Sequence, residues 1–333
     1  MFASRKRDFR DYAVAENKVR ATYQQMQEGQ TELFVDEKKK LYGGTERYRD
    51  QDGNKVKLTL DDVSAILDKI IDESDPDTKL PQLFHAYQTG EALKKYLQPA
   101  NPAKLREDIS VKSFFTDKEW RQLPHEYRKR FSVNLHELYP HIQDWSWLPL
   151  VGFMHDSGKV LAAKEWGELP QWAVVGDTFP ICAPFSKANI FYDQGFFKAN
   201  PSLIVKNNKL KTFGAYPRNC GFDHVKMSWG HDEYLHAVLS RTAHRMPPEA
   251  LYIIRFHSFY PWHTPRTGKQ GYKQLASGTD WLRLPLLKAF QKSDLYSKDA
   301  QVPDPKQLQQ FYRELMDTYF PPRPDHRPAK IGW

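Results

Sequence analysis

A histidine followed directly by an aspartate, His155-Asp156, lies in an apolar stretch of this sequence that runs from Trp147 to Leu161. An imidazole and a carboxylate side by side can bind a metal ion, and the carboxylate has a second oxygen with which to bridge to another ion. Lys159 follows and adds a cation where an anionic group could bind. The pair predicts a metal site only if further ligands come from other parts of the chain.

Other histidines and carboxylates lie in apolar or aromatic segments of the same kind. They are His85, His231, His257 and Asp294. Each of them alone is more often an ordinary core or surface residue than a metal ligand. Several polar groups that are buried together carry a high desolvation cost unless they share a partner, and a metal ion is the simplest such partner. Together with the histidine–aspartate pair, these side chains predict a metal centre.

The composition of the ligand set limits the kind of metal site. Four imidazoles with two carboxylates suit iron, manganese or zinc, and the lack of a cysteine ligand speaks against a structural zinc site. Six ligands exceed what one catalytic metal can take while leaving a position open. Two metals bridged by Asp156 are the economical interpretation. His263 is a weaker candidate for a supporting role behind the ligands, and the other histidines are expected on the surface.

The bulk composition excludes several classes of protein. Among 333 residues, 40% are hydrophobic, and no run approaches the roughly 18 apolar residues that a membrane span requires. The first ten residues are charged and lack the apolar region of a secretory signal. Only two cysteines are present, too few for a disulfide framework. We therefore expect a cytoplasmic protein without a membrane partner.

The charge balance is basic, with a net charge of +8 and a pI near 9.2. Acidic residues alternate with the basic ones along the chain, and no recognised nucleic-acid motif is present. We expect no nucleic-acid partner and only a modest attraction for anionic substrates.

Periodic apolar residues predict a mainly helical chain that positions these side chains. A proline after Asp75 ends one helix, and Thr59 with a carboxylate three residues on begins another. The segment 172–177 has the character of a brief β-strand. The predicted helices cover residues 16–40, 83–96, 117–122, 125–138, 147–161, 223–239, 280–292 and 305–319, with further helices beginning at Thr59 and at Pro247.

Two segments stand apart from this helical core. Residues 97–146 are punctuated by prolines and are expected to be an insertion between two core helices. Residues 1–15 are expected to be a mobile arm. The whole chain, residues 1–333, is interpreted as a single domain.

The arrangement of ligands is similar to that of the helical HD-domain superfamily of metal proteins, and longer strings resemble the myo-inositol oxygenase family more narrowly. The similar strings are residues 9–12, 72–77, 84–86, 155–159, 170–180, 227–234, 254–263 and 294–296. The resemblance covers roughly residues 9–320, interrupted by 97–146. It implies a mainly α fold, an HD-domain helical bundle around a dinuclear metal site, with a short β element and a mid-chain insertion.

The resemblance also implies an activity and its cofactors. Members of the family cleave the ring of myo-inositol with O2 as co-substrate to give D-glucuronate, a four-electron oxidation. The cofactors implied are two iron ions in a mixed-valent Fe(II)/Fe(III) state. By motif, one iron is bound by His85, His155 and Asp294, the other by His231 and His257, and Asp156 bridges the two.

The family motifs also imply catalytic and substrate-binding positions. Asp156 and Lys159 are the implied catalytic residues. Arg10 would have to fold over the site as a lid. The implied substrate contacts are Arg10, Asp72, Glu73, Ser74, Lys159, Gly176, Asp177, His257, Ser258 and Lys298. The partner is a small polyol, and a monomer is expected.

Two other functions stay open on the residues alone. Many HD-domain proteins hydrolyse phosphoesters with a metal-bound hydroxide, and Lys159 would serve that chemistry. A binding module that has kept the fold without activity is the third possibility. The strings at 172–180 and 255–263 favour the oxygenase, because HD-type metal binding does not require them. Ser157 departs from the leucine that the family prefers, and residues 97–146 are longer than the usual link.

Overall fold

The structure is a computed structural model that describes residues 12, 17–43, 57–77, 79–203, 213–265, 268, 270–297, 304–320 and 331–333. Helices dominate this part of the chain. The α-helices are α1 (Asn17–Gly29), α2 (Glu32–Tyr42), α3 (Leu60–Leu67), α4 (Gln82–Leu93), α5 (Asp117–Gln122), α6 (His125–Arg130), α7 (Leu135–Leu138), α8 (Trp147–Met154), α9 (His231–Ser240), α10 (Pro248–Phe256), α11 (Tyr260–His263), α12 (Gly278–Ser297) and α13 (Pro305–Tyr319). The strands are β1 (Lys57–Leu58), β2 (Leu97–Gln98), β3 (Asn101–Leu105) and β4 (Ile331–Gly332).

The short strands form two antiparallel pairs, β1 with β4 and β2 with β3. The mainly α fold with a small β element is therefore confirmed, but the strand predicted at 172–177 is wrong. Residues Gln171–Ala173 form a 3-10 turn instead. The backbone N–H groups of Val174 and Val175 both donate to the Gln171 carbonyl oxygen. These local bonds use the donors that a sheet partner would need.

The predicted helix over 16–40 is broken into α1 and α2. Thr31 caps α2 by accepting a hydrogen bond from the Phe34 N–H. Just before it, the Gln30 amide donates to the Trp229 carbonyl at 2.7 Å and accepts from the Trp229 N–H at 2.8 Å. The buried Gln30 side chain thus pairs with both backbone groups of Trp229, as a neighbouring strand would. Helix α1 ends just before Gln30, which these two bonds hold in place.

The predicted helix over 223–239 begins only at His231. Gly230 is fully extended, and Ser228 donates its N–H to the Phe179 carbonyl at 2.8 Å. The chain forms a 3-10 turn at Phe222–His224, then runs without a helix to Gly230, and His231 becomes the first residue of α9. This places the imidazole at a helix start and not in mid-helix.

Other helix boundaries agree with the sequence. Thr59 and Asp62 form a reciprocal capping box at the start of α3. The last predicted helix matches α13 in both its ends. The helix expected over 125–138 is split into α6 and α7, because the Val111 N–H donates to the Val133 carbonyl between them.

The core is built around α8, every residue of which is buried. Helix α8 packs against α4, while α10 lies against α8, α9 and α12. These five helices carry the predicted ligands. Residues 97–146 lie partly against α12, where the Lys292 ammonium donates to the Ser113 carbonyl at 2.6 Å.

Most of the predicted arm, residues 1–15, lies outside the described residues. Tyr12 is described and is buried, and its hydroxyl hydrogen-bonds with that of Tyr23 at 2.9 Å. Within the described part of the chain, we find no helix with the length and apolar character of a membrane span.

Candidate metal centre

The structure brings the six predicted ligands together at the centre of the helical core. All six side chains are buried. They are His85 in α4, His155 and Asp156 directly after α8, His231 at the start of α9, His257 directly after α10, and Asp294 in α12.

Asp156 stands between two pairs of imidazoles. Its Oδ2 lies 3.3 Å from His155 Nε2 and 3.7 Å from His85 Nε2. Its Oδ1 lies 3.2 Å from His231 Nε2 and 3.6 Å from His257 Nε2. Each oxygen thus closes a group of three donor atoms that all lie within 4.8 Å of one another. One carboxylate shared by two such groups is the arrangement of a bridging ligand.

Asp294 completes the first of these groups. Its Oδ1 lies 2.8 Å from His85 Nε2 and 3.7 Å from His155 Nε2. Its Oδ2 accepts a hydrogen bond of 2.9 Å from the Gln291 amide, which also donates to the Tyr260 hydroxyl at 2.6 Å. Gln291 therefore fixes the rotation of the carboxylate and directs one oxygen at the histidines.

Three of the four imidazoles are oriented by backbone carbonyls. A carbonyl oxygen only accepts, so each Nδ1 must carry a proton, and in the neutral ring Nε2 then keeps its lone pair. This tautomer, with a carbonyl behind the ring, is typical of metal-bound histidine. The bonds join Nδ1 of His155 to the Gly152 carbonyl at 2.7 Å, Nδ1 of His231 to Val174 at 2.8 Å, and Nδ1 of His257 to Ile254 at 2.9 Å.

The donor set fits a pair of transition-metal ions. The Nε2 atoms of His231 and His257 lie 3.0 Å apart. With both protons on Nδ1, two lone pairs face each other at this distance, and a cation bound by both relieves the repulsion. Nitrogen and carboxylate donors without a thiolate suit iron, manganese or zinc at a catalytic site.

Lys159 holds two carboxylates together at the edge of this cluster. Its ammonium donates to Asp72 Oδ2 at 2.7 Å, to Gln82 Oε1 at 2.8 Å and to Asp156 Oδ2 at 2.9 Å. Burial favours the neutral amine, but the Asp156 and Asp72 carboxylates outweigh it and raise the pKa of Lys159. Burial likewise opposes ionisation of Asp72, yet the Lys159 charge lowers the pKa of that carboxyl. Lys159 is therefore an ammonium whose three N–H groups are all in use.

A pocket opens over the ligands. Polar groups line it, among them Asp72, Ser74, Asp177 and Ser258. Ser74 donates its N–H and its hydroxyl to Asp72 Oδ1 at 2.8 and 2.6 Å. Such a wall of fixed donors and acceptors suits a small ligand that carries several hydroxyl groups.

Gly176 lines the same pocket with φ of +96°, a backbone conformation that side-chain-bearing residues rarely adopt. The turn that it makes presents Asp177, whose Oδ1 accepts a 2.7 Å hydrogen bond from the Tyr23 hydroxyl. Tyr23 itself lines the pocket.

Three of the predicted substrate contacts are not placed at the pocket. The Glu73 carboxylate is 2.7 Å from the Lys18 ammonium, and Glu73 is not among the lining residues. Arg10 and Lys298 lie outside the described residues, so their predicted roles stay predictions.

Sequence reasoning missed several polar residues of the site. Gln82 and Gln291 each lie three residues before a predicted ligand on the same helix, and this spacing could have identified them. Tyr23 and Tyr260 gave no such signal, because an apolar stripe accounts equally well for their positions.

Gly158 lies where the 3-10 turn Ser157–Ala162 passes under α9. A Cβ atom at this position would be 1.9 Å from the His231 carbonyl oxygen. We expect Gly158→Ala to destabilise the fold by about 1–3 kcal/mol, as overpacking does, and to weaken metal binding because His231 must move. Thermal unfolding and metal content measure the two effects.

Gly278→Ala is the matched control, because its Cβ would meet nothing nearer than the Tyr127 hydroxyl at 3.6 Å. A Gly158→Ala protein with the melting temperature and metal content of this control would refute the close approach.

The comparisons with known proteins agree with this geometry. The sequence model of the family described as "Myo-inositol oxygenase" matches residues 16–106 and 115–325. The chain is 38% identical over 314 residues to the inositol oxygenase of Dictyostelium discoideum, covering 94% of this chain and 88% of that protein. It is 38% identical over 322 residues to the Homo sapiens inositol oxygenase, covering 96% and 91%. A family match over most of the chain and two relatives at this identity show that the chain belongs to the myo-inositol oxygenase family.

Proposed function

We propose that this chain is an oxidoreductase that uses O2 to cleave the ring of myo-inositol and form D-glucuronate. One myo-inositol and one O2 give one glucuronic acid and one water, which balances a four-electron oxidation. Its family and its relatives, which are named inositol oxygenases, support this assignment. The observation that carries it is Asp156, whose two oxygens face two separate pairs of histidines beneath a polar pocket.

We further propose that both metals are iron, in a mixed-valent Fe(II)/Fe(III) pair. Support comes from the donor set, with four imidazoles and two carboxylates and no thiolate. When bound, such a metal pair lowers the pKa of a coordinated hydroxyl and supplies the redox chemistry with O2 that side chains cannot. His85, His155 and Asp294 would hold one ion, His231 and His257 the other, with Asp156 between them.

The chain's own residues bind and orient the polyol. Asp72 and Asp177 carry acceptor oxygens at the pocket, and Ser258 adds a hydroxyl. Because a cyclohexane polyol is neutral, alternating donors and acceptors in fixed positions select it better than a net charge would. Ser74 and Lys159 hold the Asp72 carboxylate in place, so its orientation is set before substrate arrives.

Lys159 serves this chemistry as a fixed cation. It keeps its proton on Nζ, offsets the charge of Asp156 and Asp72, and keeps the Asp156 oxygens in the bridging orientation. The same geometry disfavours the phosphohydrolase alternative. All three N–H groups of Lys159 already point at side-chain oxygens, so none is left for a phosphate.

The wider organisation is also a proposal. We propose one domain over 1–333 in which 97–146 is an insertion, with Arg10 in the arm 1–15 acting as a lid and Lys298 as a further substrate contact. A cytoplasmic location is proposed on the basis of the low cysteine content, and a monomer is proposed with it.

The experiment that tests the function is O2 uptake by iron-loaded protein supplied with myo-inositol, with glucuronate assayed as product. We expect one glucuronate for each O2 consumed. The His155→Ala variant, which lacks a proposed ligand, should show no O2 uptake and form no glucuronate. No O2 uptake by protein that has bound iron would overturn the oxygenase proposal. Release of phosphate from a panel of phosphoesters would then establish the hydrolase.

A further inference from the structure

We propose that Glu119, in the segment 97–146, is a positioning residue for the metal ligand candidate His257. It acts through Lys288 and His263, and the three residues link that segment to the metal centre. The inference rests on the proposed function, because it takes His257 to be a ligand.

The first link is a partly buried ion pair between the segment and α12. The Lys288 ammonium donates to Glu119 Oε1 at 2.7 Å, and the Lys288 side chain is only 7% exposed. Glu119 is itself held in place at the start of α5, where its Oε2 accepts from the Thr116 N–H at 2.8 Å. One oxygen therefore caps a helix of the segment while the other neutralises a cation of the core.

The second link joins this ion pair to the backbone behind the site. Lys288 also donates to the His263 carbonyl oxygen at 2.8 Å. Burial favours the neutral form of Lys288 and lowers its pKa, while the Glu119 carboxylate opposes this change. Without Glu119 the cation would be buried alone, a state that proteins avoid by moving the side chain or by losing its proton.

The third link reaches the ligand. The His263 ring is 1% exposed, and its Nε2 donates to the His257 carbonyl oxygen at 2.9 Å. That carbonyl follows the last turn of α10, where no intrahelical donor remains for it. The His257 ring is fixed separately, by its Nδ1 bond to the Ile254 carbonyl. His263 therefore fixes the backbone from which the imidazole of His257 extends.

These contacts connect the segment to His257, whereas a contact that only held the segment against α12 would not. Lys292, one helical turn after Lys288, also bonds to the segment, through the Ser113 carbonyl at 2.6 Å, but among the described residues no side-chain hydrogen bond leads from it to a ligand. Loss of the Lys292 bond should loosen the segment without moving His257. Loss of Glu119 should loosen the segment and also move His257.

The test measures Fe(II) affinity of the full-length protein by anaerobic competition with a chromogenic chelator, beside kcat and the KM for myo-inositol. We expect Glu119→Gln to weaken Fe(II) binding about tenfold, the lower end for residues that support a ligand. We expect kcat to fall with it and KM to stay within about twofold, because substrate contacts are untouched. Lys292→Met and Asp108→Asn should retain wild-type Fe(II) affinity. Asp108 is an exposed carboxylate of the same segment whose ion pair, within the described residues, is with the exposed Arg106.

Misfolding of Glu119→Gln is covered by the double variant Glu119→Gln with Lys288→Met. The amide oxygen can still accept from the Thr116 N–H, and no cation is left buried without its partner, but the bond to the His263 carbonyl stays lost, so Fe(II) affinity should remain low. Wild-type affinity in the folded double variant, or an equal loss in Lys292→Met, would overturn the inference. Failure of the wild-type protein to bind Fe(II) would instead contradict the proposed function.

Discussion

Replacing Asp156 by asparagine is expected to abolish ring cleavage and to remove at least one of the two metals. An asparagine keeps the shape but offers one acceptor oxygen, and its NH2 group would face one pair of imidazoles. The lost interaction is worth several kcal/mol of transition-state stabilisation, so the rate should fall about a thousandfold or more. Glucuronate formation and metal content per chain are the measurements.

The control is Asp280→Asn, an equal change at a buried aspartate away from the site. Asp280 Oδ2 accepts from the backbone N–H groups of Ser277 and Phe222. This variant should lose some stability and keep both metals. If Asp156→Asn retained two metals and turned over myo-inositol at the rate of Asp280→Asn, the bridging role would be wrong.

Replacing Lys159 by methionine is expected to destabilise the metal-free protein by about 3–5 kcal/mol. Removal of one partner from a buried ion pair leaves the other charge uncompensated, and a loss of stability of about this size usually follows. Both Asp72 and Asp156 lose their 2.7 and 2.9 Å contacts with the ammonium. The midpoint of thermal unfolding in the presence of a chelator measures the effect.

A double variant separates stability from function. Adding Asp72→Asn to Lys159→Met removes one of the two stranded charges, so part of the lost stability should return. Activity should not return, because Asp156 has lost the ammonium that orients it and the pocket has lost the Asp72 carboxylate. A Lys159→Met protein that melts like the wild type would show that the ammonium does not compensate the carboxylates.

The local signals in the sequence were sufficient for several elements. The capping box at Thr59 and Asp62 placed the start of α3, and the apolar run from Trp147 gave the buried helix that carries the central pair. Such features depend on neighbours within one or two turns, so a single sequence contains them.

Features set by distant partners were not predictable. The break between α1 and α2 depends on Gln30, whose amide reaches a backbone segment 199 residues away. The start of α9 depends on the pairing of Ser228 with Phe179. The same limit holds for the site. Residue types and the family resemblance suggested the ligands, but only the fold shows which oxygen of Asp156 faces which histidines.

The number of metal ions that one chain binds tests the proposed two-metal site directly. Metal-free protein would be titrated anaerobically with Fe(II), with bound iron and glucuronate formation followed together. We expect two ions per chain and full activity only when both are bound, because both groups of histidines share Asp156. Full activity with a single bound ion would contradict it.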